Sequence, residues 1–333
     1  MSRPNIAWPG PARITLVALA VVPAAMAYPW QSTRDRWVLG VGIGVALLLL
    51  AWWRGLHLTS IVRRRAAMLM GRRGARSEPS TGTDVRATAV LRVTPPLDDV
   101  DVLPLPLIAR YLNRYGIRAD AVRVTSRDTA SGGSAPQRET WVGLTLSAAG
   151  NLAALQARSS RIPLYETAEV AVRRLGDHLR ESGWEVTGAD AEDVPELFAP
   201  SARETWHAVW EGTTGYVAAY RLSPDAGLPD TLAAIWAHPA RETWTAVEIA
   251  ETAAGPTVAA ACAFHTEAEP GGAPPLAGLT PQRGNQRAAL RALHPLSVRR
   301  LDGHAPMPAG LLSQLQWRSA VMRVPTRARH AAV

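Results

Sequence analysis

Two uncharged runs near the start set the first constraint on this chain. Residues 14–33 lie between Arg13 and Arg34 without a charge, and residues 37–53 lie between Arg36 and Arg54 in the same way. At ~1.5 Å of rise per residue, each run is near the shortest helix that crosses ~30 Å of hydrocarbon. Trp30, Trp37, Trp52 and Trp53 stand at the edges, where aromatic side chains favour the membrane interface. Pro23 interrupts the first run, which a membrane helix tolerates as a kink. The sequence therefore predicts membrane helices over about 14–30 and 37–53. The connector, residues 29–36, is too short to cross back, so residues 1–54 should form a hairpin.

Arginine sets the orientation. The connector carries Arg34 and Arg36, offset by Asp35, whereas the other side carries Arg3, Arg13, Arg54, Arg63, Arg64, Arg65, Arg72, Arg73 and Arg76. Arginine-rich flanks stay in the cytoplasm. Both termini and everything after residue 54 are expected there. The alternative is a cleaved signal peptide, because Ala25-Met26-Ala27 has the small-residue pattern of a cleavage site. A second apolar run beginning nine residues after Tyr28 argues against it. Gly40 and Gly44 share one face of the second helix, a spacing that permits close packing in lipid, although glycine is common in membrane helices anyway. Residues 56–73 are basic and amphipathic. They suit anionic headgroups, and they equally suit a stop-transfer anchor, the reading preferred here. Residues 55–83 then make a basic juxtamembrane helix and a polar linker.

Charge divides the chain again. Residues 1–83 hold 11 arginines against 2 acids, residues 84–282 hold 16 against 25, and residues 283–333 hold 9 against 1. A uniformly basic nucleic-acid binder would not look like this, and no nucleic-acid partner is expected. All 36 basic residues are arginine. The absence of lysine removes P-loop, kinase and Schiff-base chemistry. The single cysteine, Cys262, excludes an internal disulfide and the cysteine-rich zinc sites. Its apolar surroundings mark it as a small buried side chain.

Beyond the linker, strands and helices mix. Strands are expected at 85–93, 121–126, 140–146, 206–210, 216–222, 245–250 and 257–264. The 206–210 and 216–222 pair flanks a Gly-Thr-Thr-Gly hairpin signal. Helices are expected at 105–115, at 151–157 with Asn151 as the cap, at 167–182 with Val170, Leu175 and Leu179 inward, and at 283–293. The sequence thus predicts an α/β fold: the membrane hairpin, then a cytoplasmic mixed α/β domain over 84–318, then a flexible arginine-rich tail over 319–333. Arg-Glu-Thr-Trp occurs three times, at 138–141, 203–206 and 241–244. Each copy should open a strand, with Glu and Trp on one face. Related β-units sealed by tryptophan would explain the repeat, and a duplicated ligand site is the functional alternative.

Catalytic signals are sparse. The eight histidines are scattered, with no H-x-x-x-H pair. Asp99 and Asp101 form a D-x-D after a strand, and such carboxylates can hold Mg²⁺ or Mn²⁺ on a nucleotide sugar in a membrane-anchored glycosyltransferase. The preferred reading is a solvated acidic loop, with no metal, cofactor or catalytic residue.

Several stretches carry a resemblance: residues 24–36 (AAMAYPWQSTRDR), residues 103–132 (LPLPLIARYLNRYGIRADAVRVTSRDTASG), residues 141–185, the ARETW copies, residues 216–222 (YVAAYRL) and residues 300–304 (RLDGH). In these the chain resembles EccE, a membrane subunit of the ESX (type VII) secretion machinery of mycobacteria and related actinobacteria, closest to the branch associated with iron uptake. The resemblance implies a non-catalytic structural subunit of the bacterial inner membrane, assembled with EccB, EccC and EccD and touching membrane lipid. It supplies no active-site residues. The residues singled out are therefore Gly40 and Gly44 for helix packing, and Arg54, Arg63, Arg64 and Arg65 for orientation.

Overall fold

A computed structural model describes residues 85–95, 102–130, 137–157, 159 and 163–318, preceded by Val22, Trp37, Leu39, Val41, Trp52–Trp53, Leu56–His57 and Arg65. The chain forms two compact units, Met1–Ser77 and Glu78–Val333.

In the first unit Val22, Trp37, Leu39, Val41 and Arg65 are helical. Among the described residues no helix is long and apolar enough to cross a membrane, and both apolar runs lie almost wholly outside them. Trp52–Trp53 pairs antiparallel with Leu56–His57. The sequence places the end of one helix and the start of another there. Aromatic residues favour extended backbone when a partner strand is at hand, and the ladder takes the last two residues of the one stretch and the first two of the other.

The second unit is built on one antiparallel sheet. Its strands are β1 (Arg86–Thr94), β2 (Ile117–Thr129), β3 (Gln137–Ser147), β4 (Glu185–Ala189), β5 (Tyr216–Leu222), β6 (Glu242–Thr252), β7 (Gly255–Thr266) and β8 (Leu279–Pro281). The helices are α1 (Leu105–Ala109, prolonged by a 3₁₀ turn at Arg110–Leu112), α2 (Leu152–Gln156), α3 (Leu164–Glu181), α4 (Leu228–Ala237), α5 (Gln286–Leu293) and α6 (Leu311–Gln314). The spatial order is β4-β1-β3-β2-β6-β7-β5, and β8 pairs with the outer edge of β5. Every pairing is antiparallel.

That order contains one pattern twice. In the first half β1-α1-β2-β3-α3-β4 gives the spatial order 4-1-3-2. In the second, β5-α4-β6-β7-β8 gives the same order. Each is a split β-α-β arrangement. The halves join through their second strands, with β2 paired to β6 from Glu242↔Thr129 to Ile249↔Val122. The second half lacks the helix between its third and fourth strands. Residues 267–278 hold Pro270, Gly271, Gly272, Pro274 and Pro275, a composition that cannot sustain helical hydrogen bonding.

Strand alternation gives the sheet two apolar faces. Val122, Val124, Val142, Leu144, Val247 and Ile249 pack beneath α1, α3 and α4. Trp141, Trp244, Ala246 and Val217 lie on the other face, covered by α5 and by Val194, Leu197 and Ala202. Cys262 is buried in the helix-side core, as its apolar run predicts.

Four local expectations are corrected. Helix 105–115 stops at Leu112, because Asn113–Arg114 turns back to pair with Arg118 and Ile117. Tyr115 and Gly116 form the two-residue turn, with φ of 55° and 71°. Both values belong to the turn type that hairpins favour, and an L residue there costs about 1–2 kcal/mol. Asn151 does not cap α2. Its buried amide accepts from the Arg118 N–H (2.8 Å) and donates to the Arg118 and Ser147 carbonyls (2.7 and 3.0 Å), standing in for a peptide group beside β2. Val170 faces outward from α3, whose buried side holds Ala168, Val172, Leu175 and Leu179. It lies five residues before Leu175, well round a 3.6-residue turn. Finally, Trp206 lies outside the strands: only Val209–Trp210 pairs with β5, and Arg203–Glu204 with Val209–Trp210. β4, α4 and β8 were not anticipated. Pro229 in the first turn of α4, followed by Asp230, was a legible helix start.

Candidate functional site at the junction of the halves

Three strands meet where the halves join, and two Arg-Glu-Thr-Trp copies flank the central one. The first opens β3 and the second opens β6, with β2 between them. Glu and Trp share a face in both, as alternation requires. Trp141 and Trp244 are fully buried and stack across β2, centroids 5.7 Å apart and planes 12° from parallel. Arg127 of β2 serves both glutamates. Its Nε and one terminal nitrogen donate to Glu242 (2.9 and 3.0 Å), and the other donates to Glu139 (3.3 Å). Arg92 from β1 reaches the remaining Glu139 oxygen at 2.7 Å. On the opposite face Arg138 grips Asp128 and donates to the Arg318 carbonyl (2.7 Å), its guanidinium 4.7 Å from the Trp236 ring centroid.

The third copy does something else. Its alternation ends after Glu204, because Thr205 closes a tight turn onto Ala208. Glu204 instead accepts from the Arg287 N–H (3.1 Å) in the first turn of α5, where backbone donors lack partners.

Deeper along the same ladder lies a buried ion pair. Glu248 of β6 sits directly opposite Arg123 of β2. Arg123 Nε donates to Glu248 Oε2 at 2.9 Å. The other carboxylate oxygen accepts from His304 Nε2 (2.9 Å) and from the Leu301 N–H (3.3 Å). Arg123 also donates to the carbonyls of His294, Ser297 and Arg299. Burial alone would raise the Glu248 pKa, but the Arg123 charge and the His304 and Arg123 hydrogen bonds outweigh it and hold the group below the ordinary carboxylate range. Residues 294–304 thus lie as a strap over the sheet. Gly143 makes room for it, since a Cβ there would stand 3.0 Å from the Pro295 carbonyl oxygen. Burial lowers the pKa of His294 in this strap, which favours the neutral ring.

These groups are spent on one another. Both Glu248 oxygens are bonded, Arg127 is shared between two carboxylates, and the stacked rings are closed to solvent. The repeat therefore seals the joint between two related β-units and leaves no room for a ligand at Trp141 or Trp244. Among the described residues, no three histidine, cysteine, aspartate or glutamate side chains cluster closely enough to hold a metal.

Sequence reasoning missed Arg123, Glu248 and His304. A signal existed: Arg123 is the one charge in the expected strand 121–126 and Glu248 the one charge in the expected strand 245–250, and a buried charge needs a partner. The residues that were singled out fall elsewhere. Gly40, Gly44, Arg54, Arg63, Arg64, Asp99, Asp101 and the tail after residue 318 lie outside the described residues, and Arg65 is an exposed helical residue.

The charged centre of this sheet is consumed in joining its own halves. The family model described as "Putative type VII ESX secretion system translocon, EccE" matches residues 134–222, from before β3 to the end of β5. Two proteins named "ESX-3 secretion system protein EccE3", from Mycobacterium tuberculosis strains CDC 1551 / Oshkosh and H37Rv, are each 56% identical over 332 residues, covering 99% of this chain and 97% of theirs. A protein of the same name from Mycolicibacterium smegmatis is 50% identical over 300 residues, covering 90% and 92%. The chain belongs to the EccE family of ESX type VII secretion proteins.

Proposed function

We propose that the chain is a non-catalytic structural subunit of the ESX-3 type VII secretion core complex. It sits in the bacterial inner membrane through its N-terminal hairpin, with residues 84–318 on the cytoplasmic side and EccB, EccC and EccD as neighbours. The observation that carries this reading is the identity of 56% across 99% of the chain to proteins of that system. The likeness takes in the apolar hairpin sequence as well as the sheet. Two further points support it. Val22, Trp37 and Val41 are helical apolar residues with more than half their surface open, which suits lipid or partner helices. The arginine-rich flanks of the apolar runs give the orientation.

The reading is tested by pull-down from native membranes. The wild-type chain should bring down EccB, EccC and EccD together. Gly40→Leu with Gly44→Leu should insert normally, because leucine favours the bilayer. It should still lose partner helices, EccD first, because close backbone approach drives association in lipid. A wild-type chain that purifies alone from gently solubilised membranes would refute the assembly reading. A double variant retained at full stoichiometry would move assembly to the sheet unit.

A further inference from the structure

The tip of the short hairpin after α1 is built unlike the rest of the surface. Tyr115 occupies the left-handed turn position that asparagine or glycine ordinarily fills, and the residue is 49% exposed. Arg114 lies 5.1 and 5.0 Å from the centroids of Tyr111 and Tyr115, and Arg174, from α3, lies 4.7 Å from the centroid of Tyr115. Cation–π contact of this kind holds a guanidinium in place without neutralising it. Neither arginine has an ion-pair partner among the described residues. Between hairpin and helix is a cavity of about 270 Å³. Ile117, Ala171 and the outward Val170 give it an apolar lining, and Glu166 lines it too, beyond ion-pair range of both arginines. Tyr111 turns its hydroxyl inward to the Arg174 carbonyl (2.9 Å), which ties the 3₁₀ turn before the hairpin to α3.

Charge decides what this cavity takes. Residues 84–318 carry 22 arginines against 26 acids, a small net negative charge that does not draw in extended polyanions such as a headgroup layer or a nucleic acid. Two unneutralised guanidiniums beside a concave apolar lining instead match one carboxylate next to one apolar side chain. Tyrosine and arginine are also the residues that dominate binding energy at protein interfaces. We propose that the Tyr115 cavity is a docking site for a short acidic–apolar segment of another protein, whose Asp or Glu lies between Arg114 and Arg174 and whose apolar side chain enters over Ile117 and Val170. This rests on the reading of the chain as a subunit of an assembly.

The test places the photocrosslinker p-benzoyl-phenylalanine at Tyr115 of the full chain in intact cells, with Tyr165 as the exposed comparison position. The expected result is a crosslink at 115 to a peptide containing Asp or Glu. Arg114→Gln with Arg174→Gln should reduce it at least tenfold at unchanged protein level and unchanged thermal midpoint. Arg114→Glu with Arg174→Glu should abolish it, and acid-to-arginine exchange in the crosslinked peptide should restore it. No crosslink at 115, a crosslink indifferent to the glutamine pair, an adduct with phospholipid, or one with a second copy of this chain would each overturn the proposal. Because the crosslink forms in cells, it is read independently of pull-down. A chain that purifies alone yet crosslinks to an acidic peptide with charge rescue sinks the stable-complex reading and supports this one.

Discussion

The two halves of the sheet share one topology and solve its burial in different ways. The first half covers its helix face with α1 and α3, the second of which runs for 18 residues. The second half has α4 there, and Leu311 of the short α6, Leu315 and Trp317 supply the remaining apolar cover. Trp317 packs edge-on against Trp236 of α4, 5.4 Å between centroids, and its carbonyl accepts from the Leu103 N–H (2.9 Å), back in the first half. On the opposite face the strap and α5 do the same service across the joint. A split β-α-β half can thus lose a helix without losing its strand order, because apolar area is what the layer needs and distant chain can provide it. The consequence is dependence: the second half is held by segments that also touch the first.

The largest effect should come from the ion pair at the joint. Glu248→Ala or Arg123→Ala alone leaves a buried charge unpaired and should lower stability by about 3–5 kcal/mol, whereas replacing both with leucine should cost far less. Chemical denaturation of the full chain in detergent would measure this, with fluorescent probes in β1 and β7. Coincident transitions would mean one cooperative unit. If the β7 probe unfolds first, the halves are separable and the dependence argued above fails.

The repeat sharpens the comparison next. Trp141→Ala and Trp244→Ala should each cost about 3–5 kcal/mol, as loss of a buried aromatic does. Trp206→Ala, outside the stacked pair, should cost about 1 kcal/mol, the common value for a substitution. Equal losses at all three positions would mean that the third copy seals a core of its own.

A smaller effect follows from pH. Glu248 has a folded pKa depressed below its unfolded value of about 4.3. Its contribution is therefore present above that value and lost as pH falls through the folded pKa. Stability curves of the wild type and Glu248→Gln should converge as pH drops below about 4. Curves that stay parallel to acid would show that the carboxylate is not the group holding the strap. Smallest of all, if Asp99 and Asp101 are the solvated loop acids that the sequence predicts, Asp99→Asn with Asp101→Asn should shift stability by under ~0.5 kcal/mol and leave secretion intact. Loss of secretion at normal protein level would revive the metal-dependent alternative.

Much was legible in the residues themselves. Alternation placed β1, β2, β3, β5, β6 and β7, and it put Glu and Trp of the repeat on one face, because a strand's side-chain period is fixed by its backbone. Periodicity gave α3, but Val170 was assigned to the wrong side, since one apolar residue does not define a face. The apolar runs, their arginine flanks and the wording of the family stretches were likewise plain in the chain.

The tertiary structure decided which distant groups meet. Arg123 and Glu248 are 125 residues apart, and Arg127 and Glu242 are 115 apart. Such pairings depend on strand order and register, and neither is written in local propensity. The same holds for Tyr115, which meets Arg174 only because α3 packs beside the hairpin. Sequence fixed the faces of the strands by their period of two. Only the sheet, by choosing β2 and β6 as neighbours in one register, turned lone charges and repeated tryptophans into a joint.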